Sequence, residues 1–128
     1  MNNIIYTKEK LREYTKTLTF SQKIAWSGSI RSLGQHDINM INKYHIEPLV
    51  YAVRKRKAKI FLNRLDTEFS EIVYSYIDFS RTYKTAKVYC RTSNELKTLI
   101  HVMITLGYGL YEPCVDLTQN GYFLKVYF

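Results

Sequence analysis

Cysteine is scarce in this chain, and long apolar runs are absent. The 128 residues include 2 Cys. Cys90 and Cys114 lack zinc-type spacing, which excludes a disulfide framework and a cysteine-based metal site, so we expect two reduced thiols and no metal. No apolar run approaches the ~18 residues of a membrane span. No apolar segment follows Met1–Lys8, and the sequence therefore predicts neither a signal peptide nor an Arg-rich transit sequence.

Motifs of catalysis are also missing. The sequence contains no Gly-rich phosphate loop, and no Ser or Cys lies in the sharp strand-to-helix turn that exposes a nucleophile. The three histidines are scattered, without a Cys, Asp or Glu at a recurring metal spacing: His36, His45 and His101. Glu95 and Lys97 have the Glu-x-Lys spacing of a nuclease core, but that element belongs on a strand and here it begins a helix. We therefore predict a protein that is not an enzyme, with no cofactor and no small-molecule substrate.

The chain does contain a large apolar fraction and an uneven positive charge. Apolar residues make up 46% and aromatic residues 15%, so we expect an ordered core rather than disorder. The net charge is +8. Residues 1–65 hold 13 Lys/Arg and 4 Asp/Glu, whereas residues 66–128 hold 6 and 7. This imbalance favours a polyanionic partner such as nucleic acid. A generic basic surface is the alternative.

The N-terminal half is predicted to contain helices, a short strand and a hairpin. Apolar spacing indicates a helix over 8–20, a strand over 24–26, and a helix over about 30–43 that Ser29 caps. Two runs of β-formers at 49–53 and 58–62 predict a hairpin with four cations at its tip. The competing interpretation is one basic amphipathic helix over 49–65, whose apolar stripe those cations would interrupt.

The C-terminal half has clearer signals. Residues 69–76 are ambiguous between helix and strand. A strand at Lys87–Cys90 is followed by Thr92 and Glu95, which have the spacing of a capping box, and by a helix that Gly107 ends. A turn-rich stretch leads to Asn120–Gly121 and a final strand through residue 128. The fold class is α+β, with two small α/β subdomains at 1–66 and 67–128, each with a helix packed on a short mixed or antiparallel sheet.

Two basic clusters are the candidate binding sites. Lys55, Arg56 and Lys57 would lie at the hairpin tip, where they reach phosphates; the alternative is a solvated edge that hinders aggregation. The second cluster mixes cations with hydroxyls, which suits contacts to phosphates and 2′-hydroxyls of structured RNA. Its members are Ser80, Arg81, Lys84, Lys87, Arg91 and Ser93. Caps and turns are the alternative role for its hydroxyl residues. A DNA-reading helix-turn-helix at 24–44 is disfavoured, because Gly28 and Gly34 do not fall at the turn.

Residues 77–108 follow the pattern of a known family at Ile77, Ser80–Arg81, Lys84–Lys87, Val88–Tyr89, Glu95–Leu96 and Leu106–Gly107. Gly121–Phe128 matches the closing strand of the same pattern. On these residues the chain resembles the S-eight family, the eighth protein of the small ribosomal subunit. The N-terminal half is similar in layout, with Ser29, Tyr44–Ile46, Leu49–Val53 and Ala58–Leu62 in the corresponding places. Two departures stand out. Thr82–Tyr83 replaces the usual Pro-Gly, and Glu112–Pro113–Cys114 falls where the family has an RNA-contacting Ser-Thr-Ser loop.

The resemblance implies a structural constituent of the small ribosomal subunit that binds and stabilises its rRNA during assembly and translation. The implied partners are small-subunit rRNA and neighbouring small-subunit ribosomal proteins. The eroded motifs favour a mitochondrial ribosome, with the protein encoded inside the organelle, over a bacterial cytoplasm. The alternative is a phage- or plasmid-encoded protein that binds nucleic acid as a regulator or blocks a host nucleic-acid enzyme. Preference for folded rRNA over duplex DNA would separate the two.

Overall fold

A computed structural model describes residues 4–68, 74–116, 118 and 120–128. Its elements are α1 (Lys8–Lys16), α2 (Phe20–Arg31), α3 (Gln35–Tyr44), α4 (Pro48–Glu68), β1 (Tyr76–Phe79), β2 (Thr85–Cys90), α5 (Ser93–Leu106), β3 (Tyr111–Asp116) and β4 (Gly121–Tyr127). The predicted α+β class is confirmed. Two compact units, Met1–Arg56 and Lys57–Phe128, divide the chain inside α4 rather than after residue 66. Of the ambiguous stretch 69–76, residues 69–73 lie outside the described residues, and Tyr76 begins β1.

Side-chain caps set the starts of the first two helices. The Thr7 hydroxyl accepts a hydrogen bond from the Lys10 amide, and Thr19 forms a reciprocal capping box with Gln22 at the start of α2. The predicted strand at 24–26 is wrong, because those residues continue the helix that Thr19 caps. An apolar run of that length does not by itself distinguish helix from strand. Ser29 likewise lies inside α2, and α3 begins after Gly34. The expectation that Gly34 would not fall at a turn between two helices is wrong, since Gly34 lies in the short connection between α2 and α3.

The predicted cationic hairpin is also wrong, and the competing helix is the observed structure. Residues 49–53 and 58–62 both belong to α4, which begins with Pro48, a residue favoured at the first helical position. The buried residues of α4 recur at helical intervals at Tyr51, Ala58, Phe61 and Leu65. The N-terminal subdomain therefore has no sheet among its described residues, and the predicted helix-strand-helix-hairpin order does not occur there.

The second unit is a four-stranded antiparallel sheet with helices on one face. The strand order is β1-β2-β4-β3, so β2 and β4 are central. Alternate residues of these strands point into a core that they form with Phe61 and Leu65 of α4 and with the buried side of α5. The buried sheet residues are Ala86, Val88, Cys90, Leu124 and Val126. The other face of the sheet is described with the candidate site.

Strand β3 replaces the turn-rich stretch that the sequence predicts after residue 110. Residues Glu112–Pro113–Cys114 pair with β4 instead of forming a loop. Pro113 is tolerated because β3 is an edge strand, where the missing amide need not serve a second neighbour. The β3–β4 connection ends with Asn120 at φ 52°, and Gly121 follows where a side chain would not fit. A Cβ at Gly121 would lie 2.8 Å from the Cys90 carbonyl oxygen.

The predicted strand–helix segment of the second unit is confirmed. Strand β2 contains Lys87–Cys90, and the Thr92 hydroxyl accepts from the Glu95 amide at 3.2 Å. The Glu95 carboxylate accepts from the Arg91 amide at 2.9 Å, one residue earlier than in a standard capping box. Gly107 ends α5 in the left-handed conformation, at φ 78°.

Candidate nucleic-acid interface

Lys55 of the first predicted cluster is engaged inside the first unit. Its ammonium group lies 2.7 Å from a carboxylate oxygen of Asp37, which is 6% exposed. The Tyr51 hydroxyl donates to the other carboxylate oxygen at 2.5 Å, and the Gly34 amide also donates to this group. Burial by itself would raise the pKa of Asp37, but the hydrogen bonds from Lys55 and Tyr51 outweigh it and lower that pKa. Lys55 therefore forms an ion pair within the first unit. At the tip of a hairpin, as predicted, its side chain would have extended into solvent.

Arg56 is held in the same unit, through α2. Its guanidinium lies 3.8 Å from the centre of the Trp26 ring, and it donates to the Ser29 hydroxyl and to the Ala25 carbonyl. A cation over an indole face is an attractive contact in its own right. Lys57, the third predicted residue, is exposed. The structure thus separates the predicted trio into two cations with internal partners and one at the surface.

The second predicted cluster lies along β2 and its two ends. The Ser80 hydroxyl accepts from the Thr85 amide and closes the β1–β2 turn, in which Arg81 and Lys84 are exposed. Lys87 is in β2, Arg91 directly follows that strand, and Ser93 is the first residue of α5. At about 3.3 Å per residue, Lys84 and Arg91 are ~23 Å apart along the chain direction. The six residues therefore form a track along one central strand rather than one compact site.

This track carries no negative charge of its own. The segment from Ser80 to Arg91 contains Arg81, Lys84, Lys87 and Arg91 and no Asp or Glu. Arg81 and Lys84 lie in one turn, whereas Arg91 lies at the other end of β2. A phosphate chain that follows β2 would therefore meet cations at the beginning, middle and end of that strand.

The face of the sheet that points away from the core was not predicted from the sequence. We call it the outer face. It consists of Tyr76, Asp78, Thr85, Lys87, Tyr89, Glu112, Cys114, Phe123, Lys125 and Tyr127, which oppose one another in the strand register. Tyr76 is 42% exposed, and the face is otherwise exposed or half-buried. In the sequence, Lys87 and Tyr89 are two positions apart, and Lys125 is two positions from an aromatic residue on either side. This period-two spacing places them on one face, and it is typical of a strand with one solvated face.

Three rings cross the outer face in register. Tyr76 and Tyr89 stack with ring centroids 4.4 Å apart and planes 13° apart, and Phe123 continues the row 5.4 Å from Tyr89. We call these three residues the aromatic row. Burial raises the pKa of Tyr89, and Tyr76 and Asp78 raise it further, so this phenol stays neutral at physiological pH.

A second row of charged residues lies two positions along each strand. Lys87 and Lys125 face each other directly, flanked by Asp78 on β1 and Glu112 on β3. The ammonium of Lys87 lies 5.1 Å from the centre of the Phe123 ring, and that of Lys125 lies 5.3 Å from Tyr127. The outer face is therefore mixed in charge, and its most distinctive feature is the aromatic row.

A cavity of about 480 Å³ opens at one end of the aromatic row. Tyr76 and Tyr89 line it on one side, and Arg91, Asp116 and Asn120 are among its polar lining. The Asp116 carboxylate accepts from the amide and hydroxyl of Thr118, which orients it. The volume falls within the range of small-ligand sites and exceeds what one planar base needs.

Other kinds of site are not seen in the part of the chain that the structure describes. Within residues 4–68, 74–116, 118 and 120–128, no three His, Cys, Asp or Glu side chains converge as metal ligands would. None of the described helices combines the length and apolar character of a membrane-spanning segment. Comparisons with protein-family models, with curated proteins and with solved structures find no match to this chain.

Proposed function

We propose that this protein binds RNA as a structural constituent of the small ribosomal subunit, where it stabilises small-subunit rRNA during assembly and translation. The observation that carries the proposal is the track along β2, whose segment from Ser80 to Arg91 contains four cations and no Asp or Glu. The resemblance to the S-eight family concerns the same segment. Neutralising phosphates along such a track releases counterions, which supplies affinity that falls steeply with salt.

The proposed partners follow from this role. They are small-subunit rRNA and the neighbouring small-subunit proteins, and the proposed setting is a mitochondrial ribosome, with a bacterial one as the alternative. The protein acts by binding rather than by catalysis. Since Lys55 and Arg56 have internal partners, the first unit is assigned a smaller share of the RNA contacts than its charge suggests.

Sedimentation of a native lysate tests the proposal directly. The chain is followed across a sucrose gradient at low salt and again after a high-salt wash. We expect it to travel with the small subunit at low salt and to leave at high salt. A chain that stays at the top of the low-salt gradient, or that travels with another complex, contradicts the ribosomal assignment.

A further inference from the structure

We propose that the outer face of the sheet binds an unpaired stretch of RNA, one base of which stacks on the Tyr76 end of the aromatic row of Tyr76, Tyr89 and Phe123. The inference rests on the proposed function, because it takes RNA as the ligand. It adds a second mode of contact. The track along β2 holds phosphates, and the aromatic row holds a base that is not paired.

The position of the rings supports stacking. Tyr89 and Phe123 lie on the two central strands, and Tyr76 lies beside them on the edge strand β1. The row is continuous, with successive centroids 4.4 and 5.4 Å apart. Since Tyr76 and Tyr89 stack face to face and Phe123 lies beside Tyr89, the row offers a base its free end at Tyr76, on the edge strand β1. Every base has a π-face, so this end accepts a base with little regard to sequence.

Tyr76 is the exposed ring of the row. Cross-strand aromatic pairs do stabilise sheets, and the Tyr76–Tyr89 pair contributes in that way. Tyr76 keeps 42% of its surface exposed, whereas Tyr89 and Phe123 are half-buried. The row is therefore open to a ligand at its Tyr76 end.

The two central lysines point to an anionic ligand. Lys87 and Lys125 are directly opposite in register, and like charges in that position destabilise a sheet. Asp78 and Glu112 flank them, yet the lysine ammonium groups lie over the Phe123 and Tyr127 rings, and the described residues give neither lysine an ion pair. The lysines are two strand positions, or about 7 Å, from the aromatic row. A phosphate joined to a stacked base lies within their reach.

The cavity at the end of the row gives the stacked base a place to enter. Tyr76 and Tyr89 supply ring surface there, Asn120 and Asp116 supply groups that can bond a base edge, and Arg91 supplies a cation at the end of β2. The aromatic row and the track thus converge at Arg91, so one RNA strand can use both.

The test measures binding of the full chain to a fluorescein-labelled single-stranded RNA octamer by anisotropy. Tyr89→Leu and Tyr76→Leu each remove a ring while keeping an apolar side chain. Tyr44→Leu is the matched control, because Tyr44 is 41% exposed and lies outside the sheet. Tyr76→Leu is expected to weaken binding about 5- to 150-fold, the range that corresponds to loss of one base–aromatic stack. Tyr89→Leu removes the ring on which Tyr76 stacks and is expected to weaken binding in the same direction. The Tyr44 variant should bind as the unaltered chain does.

A second measurement keeps the proposal testable should a row variant fold poorly. The unaltered chain is irradiated with a 4-thiouridine octamer, and the crosslinked peptide is identified by mass spectrometry. Crosslinks to Tyr76, Tyr89 or Phe123 support the aromatic row. Crosslinks confined to other residues, or equal binding by well-folded row variants, overturn it while leaving RNA binding intact. An unaltered chain that binds neither the octamer nor folded rRNA overturns the proposed function together with this inference.

Discussion

At the scale of single residues, the buried carboxylate of Asp37 has the clearest energetic consequence. Lys55, Tyr51 and the Gly34 amide all bond to it. The structure could not be predicted here, because the partner of Lys55 lies 18 positions away in sequence, and no local pattern links the two. In the sequence, four consecutive cations argue against a helix. The helix accommodates them because two of the four have partners: Lys55 pairs with Asp37, and Arg56 lies over the Trp26 ring.

We predict that the stability contributed by Asp37 depends on acid pH. Its folded-state pKa is lower than the ordinary value of 3.8, so its ionisation stabilises the fold above that value. This contribution falls as the pH drops through 3.8 and then through the folded-state pKa. Urea unfolding of Asp37→Asn should show a loss of about 2 kcal/mol at pH 7, the size of a hydrogen bond to a charged group, that shrinks below pH ~4. Asp78→Asn, at an exposed position, is the control. An equal loss at pH 7 and pH 3 would contradict the assignment.

Gly121 is a second residue with a sharp expectation. A Cβ there would lie 2.8 Å from the backbone oxygen of Cys90. Because this oxygen belongs to the backbone and not to a flexible side chain, it cannot easily move away. Gly121→Ala should therefore destabilise the protein by about 1–3 kcal/mol in urea unfolding. Gly109→Ala has nothing within 4 Å of the added carbon and should change stability by less than about 0.5 kcal/mol. Equal stability for the two variants would show that β4 moves easily.

At the scale of elements, local signals decided what could be predicted. The segment β2–α5 is confirmed because its marks are all close in sequence: alternation, the Thr92 cap and the Gly107 terminus. The strand at 24–26 and the hairpin at 49–62 were predicted wrongly, because their apolar runs fit both helix and strand and only tertiary contacts select between them. The helices predicted at 8–20 and about 30–43 correspond in part to α1 and α3. The aromatic row was missed for a related reason. Each ring was visible, but the register that aligns Tyr76, Tyr89 and Phe123 is a property of pairing between distant segments.

The track along β2 gives a prediction at this scale. Replacing Lys84 and Arg91 with Ala removes one cation from each end of the strand without touching its core. Binding to a folded rRNA fragment should weaken, and the slope of log K against log salt should flatten by roughly two, one for each phosphate that is no longer neutralised. Lys97→Ala, on the exposed side of α5, is the control for a general decrease in positive charge. An unchanged salt slope in the double variant would remove the track from the interface.

At the scale of the whole molecule, charge is distributed differently from what the sequence halves suggest. The first unit holds 10 Lys/Arg against 4 Asp/Glu, and the second holds 9 against 7. Cations in the first unit outnumber acids, but two of them are committed internally. The second unit is nearly balanced, and four of its nine cations lie along β2 and its two ends. Their placement, rather than net charge, therefore favours the second unit as the one that would bind RNA under the proposed function.

We predict that folded rRNA raises the melting temperature of the intact chain. A ligand at 100 times its dissociation constant stabilises the native state by about 2.7 kcal/mol, which for a chain of this size corresponds to roughly 10 °C. Differential scanning fluorimetry measures the shift, and duplex DNA of equal charge is the comparison. A larger shift with the duplex would favour the alternative function, a phage- or plasmid-encoded regulator that binds nucleic acid, over the ribosomal protein.

The two thiols differ in a way that makes the outer face observable. Cys90 is 3% exposed, and burial, reinforced by Glu95, raises its pKa, so it reacts slowly. Cys114 is half-buried and opposes Phe123 on the outer face. A maleimide dye should therefore attach at Cys114 in preference to Cys90, beside the aromatic row. The natural chain thus carries its own reporter position, and quenching or polarisation of that dye would follow occupancy of the sheet in real time without any engineered residue.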